Sequence, residues 1–221
     1  MSREITHHLT DALLMGYSAG VLPEAFNIIV AAHVSMCDEC RARLAEFDAV
    51  GGEVVAMTET AEMAPDSLSR TLAAIADAPA DANDAQEEHA AQGDAGGLPR
   101  PVRDYIGGDL QTVKWRRVGG GVRQAILPTS ANASARLLHI PAGCAVPDHG
   151  HAGTELTLVL QGAFRDDTDR FGAGDIEVAD EDLDHQPVAE EGVDCICLAA
   201  TDAPLKFNSM LPKLAQPFLR I

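Results

Sequence analysis

A histidine and two cysteines form a compact group in the stretch H-V-S-M-C-D-E-C. His33 and Cys37 are four residues apart, which places them on one face of a helix, and Cys40 follows three residues later. Two thiolates in a C-x2-C spacing with an imidazole one turn away are typical of a tetrahedral zinc site. One position is left for a further ligand, and His7 and His8 are the nearest candidates. The spacing therefore predicts a zinc site here.

Two other interpretations of this group are open. A C-x-x-C pair can act as a redox dithiol, but that function is typical of a βαβ context, which the surrounding sequence does not show. The two cysteines and the histidine could also be buried core residues that hold no ligand.

A second group of candidate ligands lies in G-C-A-V-P-D-H-G-H-A-G-T-E-L-T-L-V-L-Q-G. Residues two apart on a strand face the same side, so His149 and His151 point together, and Glu155 follows a turn at Gly153. His185, which lies after a later G-A-G-D turn, is the candidate for a fourth ligand. Three imidazoles and a carboxylate can bind Zn, Mn, Fe, Ni or Cu, and ligand type alone does not choose among them.

Three further cysteines are candidates for oxidation. Cys195 and Cys197 share a strand face in D-C-I-C-L, and Cys144 lies beside the second group of ligands. Cα atoms two residues apart on a strand are about 6.6 Å from one another. That separation is near the upper limit for a disulfide, so a bond would need local distortion. The alternative role for all three is that of a small buried apolar residue.

The elements that must position these residues divide the chain into three parts. Residues 1–78 are predicted to be helical, and residues 79–98, rich in Ala, Asp, Gln and Gly, are predicted to be a linker. Residues 99–221 contain short β-rich runs separated by Gly and Pro, which predicts an all-β sandwich or barrel. The predicted helices run from Thr10 or Asp11 to Gly20, from Pro23 to about Met36, from Asp38 to about Thr58 and from Ser67 to Asp77.

Composition narrows the range of functions. The chain has 221 residues, 46% of them hydrophobic, which excludes a fully disordered protein. A net charge of −18 argues against nucleic acid as a partner and favours a basic protein. We expect no signal peptide and no membrane association, and hence a cytoplasmic location.

The second group of ligands resembles the first motif of the cupin superfamily, which has the pattern G-x5-H-x-H-x3-E-x6-G. This resemblance implies a jelly-roll barrel with a metal inside it. The sequence departs from the second cupin motif, because Asp180, Glu181 and Asp182 replace the usual P-x-G before His185.

The N-terminal part resembles the zinc-binding anti-sigma domain, whose pattern is an early histidine followed by H-x3-C-x2-C. The matching residues are His8, His33, Cys37 and Cys40, so the resemblance implies His8 as the fourth ligand. A zinc anti-sigma domain, a linker and a cupin domain in this order resemble the ChrR family of anti-sigma factors.

The family resemblance implies a regulator and not an enzyme. The helical domain would bind an extracytoplasmic-function sigma factor of the RpoE-like group, as a heterodimer, and block its access to RNA polymerase. The cupin domain, with zinc or another divalent ion, would help to sense singlet oxygen or a related oxidant and release the sigma factor. The alternative is a metal-dependent cupin enzyme, a dioxygenase or isomerase, with a helical accessory domain.

Overall fold

A computed structural model of the protein describes residues 5–78 and 98–207. The predicted linker lies outside these residues except for Leu98, which is fully buried. The first helix begins after Thr10, whose hydroxyl oxygen accepts a hydrogen bond from the Leu13 N–H at 3.3 Å and so caps the helix. The helices are α1 (Asp11–Ser18), α2 (Glu24–Met36), α3 (Asp38–Ala56), α4 (Ser67–Asp77) and α5 (Arg100–Ile106).

Helix α5 lies where the sequence predicted only strands. It has seven residues, which is too short for a periodic apolar pattern to identify it. Proline is tolerated in its first turn, and Gly107 ends it with a left-handed conformation at φ 68°. The helix packs against α2, so it extends the helical layer on the C-terminal side of the linker.

The remainder of the described chain forms three antiparallel sheets that wrap into a small barrel. The strands are β1 (Arg116–Gly119), β2 (Val122–Ile126), β3 (Ser134–Ile140), β4 (His149–Gly150), β5 (Glu155–Gln161), β6 (Ala163–Arg165), β7 (Arg170–Gly172), β8 (Ile176–Ala179), β9 (Asp184–His185), β10 (Val188–Ala189), β11 (Cys195–Thr201) and β12 (Lys206–Phe207). The large sheet has the strand order β1-β2-β3-β11-β5-β8, and the smaller sheets have the orders β10-β6-β7 and β12-β4-β9. These sheets surround a cavity of about 560 Å³.

Helix α2 joins the helical layer to the barrel. Seven of its 13 residues are buried, and at 3.6 residues per turn they cover more than half of its circumference, as expected for a helix that packs against several elements. It packs against α1, α3 and α5 and also against strands β3, β5 and β11. One continuous hydrophobic core therefore includes Ile29 of α2, Leu158 of β5 and Leu198 of β11.

The helices of the described residues do not combine the length and hydropathy that would be needed to cross a lipid bilayer.

Candidate metal centres

The first centre forms at the corner between α2 and α3. His33 lies on the last turn of α2, and Cys37 follows the end of that helix with an extended backbone. The Cys40 N–H points to the Cys37 sulfur at 3.4 Å, so the thiol of Cys37 caps α3. This local geometry brings both thiols and the imidazole to one side of the corner. The H-x3-C-x2-C spacing is therefore sufficient to assemble three of the donors.

His8 completes this cluster from the segment that precedes α1. Its Nδ1 lies 3.3 Å from Cys37 Sγ and 3.7 Å from Cys40 Sγ. His33 Nε2 is 3.3 Å from Cys40 Sγ, and the four donor atoms all lie within 4.8 Å of one another. His7 points away from the cluster, with its Nε2 3.2 Å from Asp169 Oδ2.

The chemistry of this donor set fits zinc. Two sulfurs and two imidazole nitrogens within reach of one point are the ligands of tetrahedral structural sites. Burial lowers the pKa of His33 to about 4, which keeps its imidazole in the neutral form that binds metals. Burial raises the pKa of Cys40 to about 11, so a bound cation would be needed to hold this sulfur as a thiolate.

The second centre forms inside the barrel from three histidines. His149 on β4 and His185 on β9 are directly paired across the small sheet, and His151 follows β4 by one residue. The Nε2 atom of His185 lies 3.3 Å from Nε2 of His149 and 3.3 Å from Nε2 of His151. All three histidines are buried. Burial also lowers the pKa values of His149 and His151, so both imidazoles are neutral and can coordinate a cation.

Glu155, the first residue of β5, lies beside this cluster. Its Oε2 is 3.6 Å from Nδ1 of His151, and its Oε1 accepts a hydrogen bond from the Thr157 hydroxyl at 3.1 Å. The structure thus brings the Nε2 atoms of the three predicted histidines together, and it places the fourth predicted residue, Glu155, beside His151 but outside this group of donor atoms. Three imidazoles with an adjacent carboxylate fit a divalent transition metal.

Two carboxylates that the sequence did not predict contact Nδ1 of His185, the ring nitrogen that faces away from the other two histidines. Its Nδ1 lies 2.9 Å from Asp166 Oδ2 and 3.1 Å from Glu177 Oε1. Burial by itself would lower the pKa of His185, but these carboxylates prevail and raise it to about 9. Burial raises the pKa of Glu177 to about 7. Such carboxylate–histidine pairs fix ring orientation at metal sites. The sequence offered one indication of this arrangement, because Glu177 stands between apolar residues in the strand D-I-E-V-A.

The second centre faces the barrel cavity, whose lining is mostly apolar. His149, His185 and Glu155 form part of its wall together with Cys197. A metal held there would be shielded from bulk water but could meet a small molecule that enters the barrel. The apolar part of the wall includes Val118, Val122, Leu138, Ile140, Phe164 and Phe207.

Cys195 and Cys197 lie side by side on β11. Their two sulfurs are 3.4 Å apart as free thiols, and the register of β11 with β5 shifts between Ile196 and Cys197. The hydrogen bond with Cys195, together with burial, raises the pKa of Cys197 well above its usual value, so this thiol is a weak nucleophile.

The ends of α3 and α4 carry exposed apolar side chains, which we call the α3–α4 surface. On α4, Leu68, Leu72 and Ile75 lie on one helix face and are 72%, 56% and 66% exposed. No residue of α4 is buried. Several exposed apolar residues on one helix face are typical of a surface that binds another protein. The α3–α4 surface comprises Val50, Val54, Val55, Met57, Leu68, Leu72 and Ile75.

Comparisons with known proteins agree with these features. A family model described as the ChrR cupin-like domain matches residues 104–203. Over 220 residues the chain is 60% identical to the anti-sigma-E factor ChrR of Cereibacter sphaeroides, covering 98% of this chain and 99% of that protein. The crystal structure of Rhodobacter sphaeroides SigE in complex with the anti-sigma ChrR matches with a TM-score of 0.78 and 56% identity, covering 90% of this chain and all of that one.

Proposed function

Because the chain belongs to the ChrR family of anti-sigma factors, we propose that it binds an extracytoplasmic-function sigma factor and keeps it inactive. The observation that carries this proposal is the 60% identity over nearly the whole length to a curated anti-sigma factor. The matching structure is that of a sigma factor in complex with its anti-sigma factor. A metal-dependent enzyme is not favoured, since this full-length relative is a regulator.

The α3–α4 surface is the proposed contact with the sigma factor. Helix α4 presents Leu68, Leu72 and Ile75 to solvent on one face and buries none of its residues, so its apolar face needs a partner. The net charge of −18 complements the basic surfaces with which sigma factors contact DNA, which favours fast association.

Zinc at the first centre is proposed to hold this surface in place. His8, His33, Cys37 and Cys40 would be its ligands, and they come from three elements that meet at the α2–α3 corner. Crosslinking these elements fixes the direction in which α3 leaves the corner. The metal would therefore stabilise the part of the protein that presents the α3–α4 surface.

The barrel is proposed to sense the signal. His149, His151, His185 and Glu155 would hold a divalent metal, zinc or another ion, at the wall of the cavity. A metal centre with its three imidazoles is the oxidisable group that a reactive oxygen species would meet there. Oxidation by singlet oxygen or a related oxidant would then lead to release of the sigma factor.

The test is a binding titration of the full chain with SigE of Rhodobacter sphaeroides. We expect the unmodified protein to form a 1:1 complex, and the double variant Leu68→Ser/Leu72→Ser to bind about 10-fold or more weakly because buried leucines are lost from the contact. The matched control Arg70→Ser lies on the opposite face of α4 and should bind normally. Failure of the unmodified protein to bind, or equal binding by the double variant, would contradict the proposal.

A further inference from the structure

A buried carboxylate of the barrel holds the segment that carries His8. Asp175 is 5% exposed, and its Oδ1 accepts hydrogen bonds from the backbone N–H groups of Thr6 at 2.7 Å and His7 at 3.0 Å. Its Oδ2 accepts a hydrogen bond from the Gly172 N–H at 2.7 Å. One side chain therefore binds its own turn and the two residues that immediately precede a ligand of the first centre.

The same turn holds this segment by two further contacts. The Ile176 N–H donates to the carbonyl oxygen of His7 at 3.4 Å. Gly174 has a φ of +95°, and a Cβ atom at this position would lie 2.6 Å from Ile5 Cδ1. A side chain is therefore excluded at Gly174 by both the backbone conformation and the packing of Ile5. Residues 5–8 are thus held in place by the barrel turn from Gly172 to Ile176.

A neighbouring turn connects this segment to the second centre. His7 contacts Asp169 Oδ2 through Nε2 at 3.2 Å, and its ring lies 4.4 Å from that of Phe171. Asp169 in turn donates its N–H to Asp166 Oδ1 at 3.2 Å. The other oxygen of Asp166 lies 2.9 Å from Nδ1 of His185. A short series of contacts therefore joins His185 of the second centre to His7, the neighbour of His8.

We propose that Asp175 is a positioning residue for the first metal centre, and that the turn between Asp166 and Asp169 couples this centre to the second. The proposal rests on the proposed function, in that both clusters hold metals. Asp175 fixes the backbone from which His8 reaches the two thiols. Movement of His185 would shift Asp166 and, through Asp169, the contact with His7.

The first experiment measures metal affinity at the first centre in the full chain. Cobalt(II) is the probe, because thiolate-to-cobalt absorption reports only the centre with cysteine ligands. Both side-chain oxygens of Asp175 accept hydrogen bonds, and Asp175→Asn replaces one of them by an NH2 group, which cannot accept. We expect cobalt to bind about 10–100-fold more weakly, as for the loss of other residues that support metal ligands. The control Asp182→Asn removes the same charge from an exposed position of the barrel and should leave the affinity unchanged.

The second experiment tests the coupling. His149→Ala removes a ligand of the second centre, and we expect it to weaken cobalt binding at the first centre several-fold. His7→Ala breaks the connection without touching either ligand set, and in this background His149→Ala should have no further effect. Additive effects of the two substitutions would overturn the coupling. Thr6→Pro, which removes one of the N–H groups that donate to Asp175, provides the affinity test should Asp175→Asn fail to fold.

The outcomes separate this inference from the proposed function. A normal thiolate–cobalt band with unchanged affinity in Asp175→Asn would overturn the positioning role alone. Absence of the band in the unmodified protein would overturn the first metal centre and this inference with it. Binding of the sigma factor is not a readout in either experiment.

Discussion

Replacing Ile29 by alanine is expected to destabilise the helical layer and the barrel together. Ile29 is fully buried in α2, at the centre of the core that the helices share with strands β3, β5 and β11. If this core is a single cooperative unit, a cavity in α2 lowers the stability of the sheet as much as that of the helices.

The expected magnitude follows from the burial of the side chain. An Ile→Ala change in a core costs about 2–5 kcal/mol, because methyl contacts are lost and the surroundings relax only in part. For a chain of this size each kcal/mol lowers the melting temperature by about 2–4 °C. The variant should therefore melt about 4–20 °C below the unmodified protein.

Two probes on opposite sides of the core measure this effect. Far-ultraviolet circular dichroism follows the helices, and fluorescence follows Trp115, the single tryptophan, which packs against the core from the barrel side. We expect both transitions to move together. Ile75→Ala is the matched control, since Ile75 is 66% exposed and its loss should change stability by no more than about 0.5 kcal/mol. A lower helical transition with an unchanged Trp115 transition would refute the shared core.

Three further predictions concern other contacts. Glu155→Gln should weaken metal binding in the barrel by at least about 10-fold, measured as metal retained after dialysis, and should weaken cobalt binding at the first centre several-fold at most; equal loss at both centres would contradict this. Arg170→Ala removes two hydrogen bonds to Glu190, at 2.8 and 2.9 Å, and should lower the free energy of unfolding by about 1 kcal/mol or less, with a smaller effect in high salt; a loss that salt leaves unchanged would count against an ionic contribution. Burial opposes ionisation of Asp175, but hydrogen bonds from three backbone N–H groups outweigh it and lower the pKa of this carboxyl in the folded protein. The contribution of Asp175 to folding stability is therefore complete above about pH 4, the pKa of an unfolded aspartate, and is lost as the pH falls through the folded pKa. Acid should therefore destabilise the unmodified protein more steeply than Asp175→Asn, and parallel curves would contradict this assignment.

Local spacing predicted the parts of both centres that lie on one element. Helix and turn geometry fix the positions of His33, Cys37 and Cys40 relative to one another, so the pattern alone identifies them. The choice between His7 and His8 depends on how a distant segment approaches the corner. Spacing left it open, the family resemblance selected His8, and the structure places His8 beside both thiols.

Contacts between remote parts of the chain could not be predicted in this way. Asp175 bonds residues about 170 positions earlier, and nothing in the G-A-G-D turn other than a short polar side chain indicates such a partner. Leu98 stands at the end of a polar stretch, yet it is fully buried. The high apolar content of α2 was the available signal that much of this helix must be covered, but it does not say by which element.

The arrangement of α2 indicates how a change in the barrel would reach the α3–α4 surface, the proposed contact with the sigma factor. Its last turn carries His33 of the first centre, and its body packs against β5, which begins with Glu155. Close-packed interfaces transmit small displacements because they have no free volume in which to absorb them. A shift of β5 at the second centre is therefore expected to press on α2, while the turn at Asp166 acts on the segment before His8. Both routes end at the α2–α3 corner, from which α3 extends, so in the proposed mechanism we expect loss of order at this corner to precede release of the sigma factor.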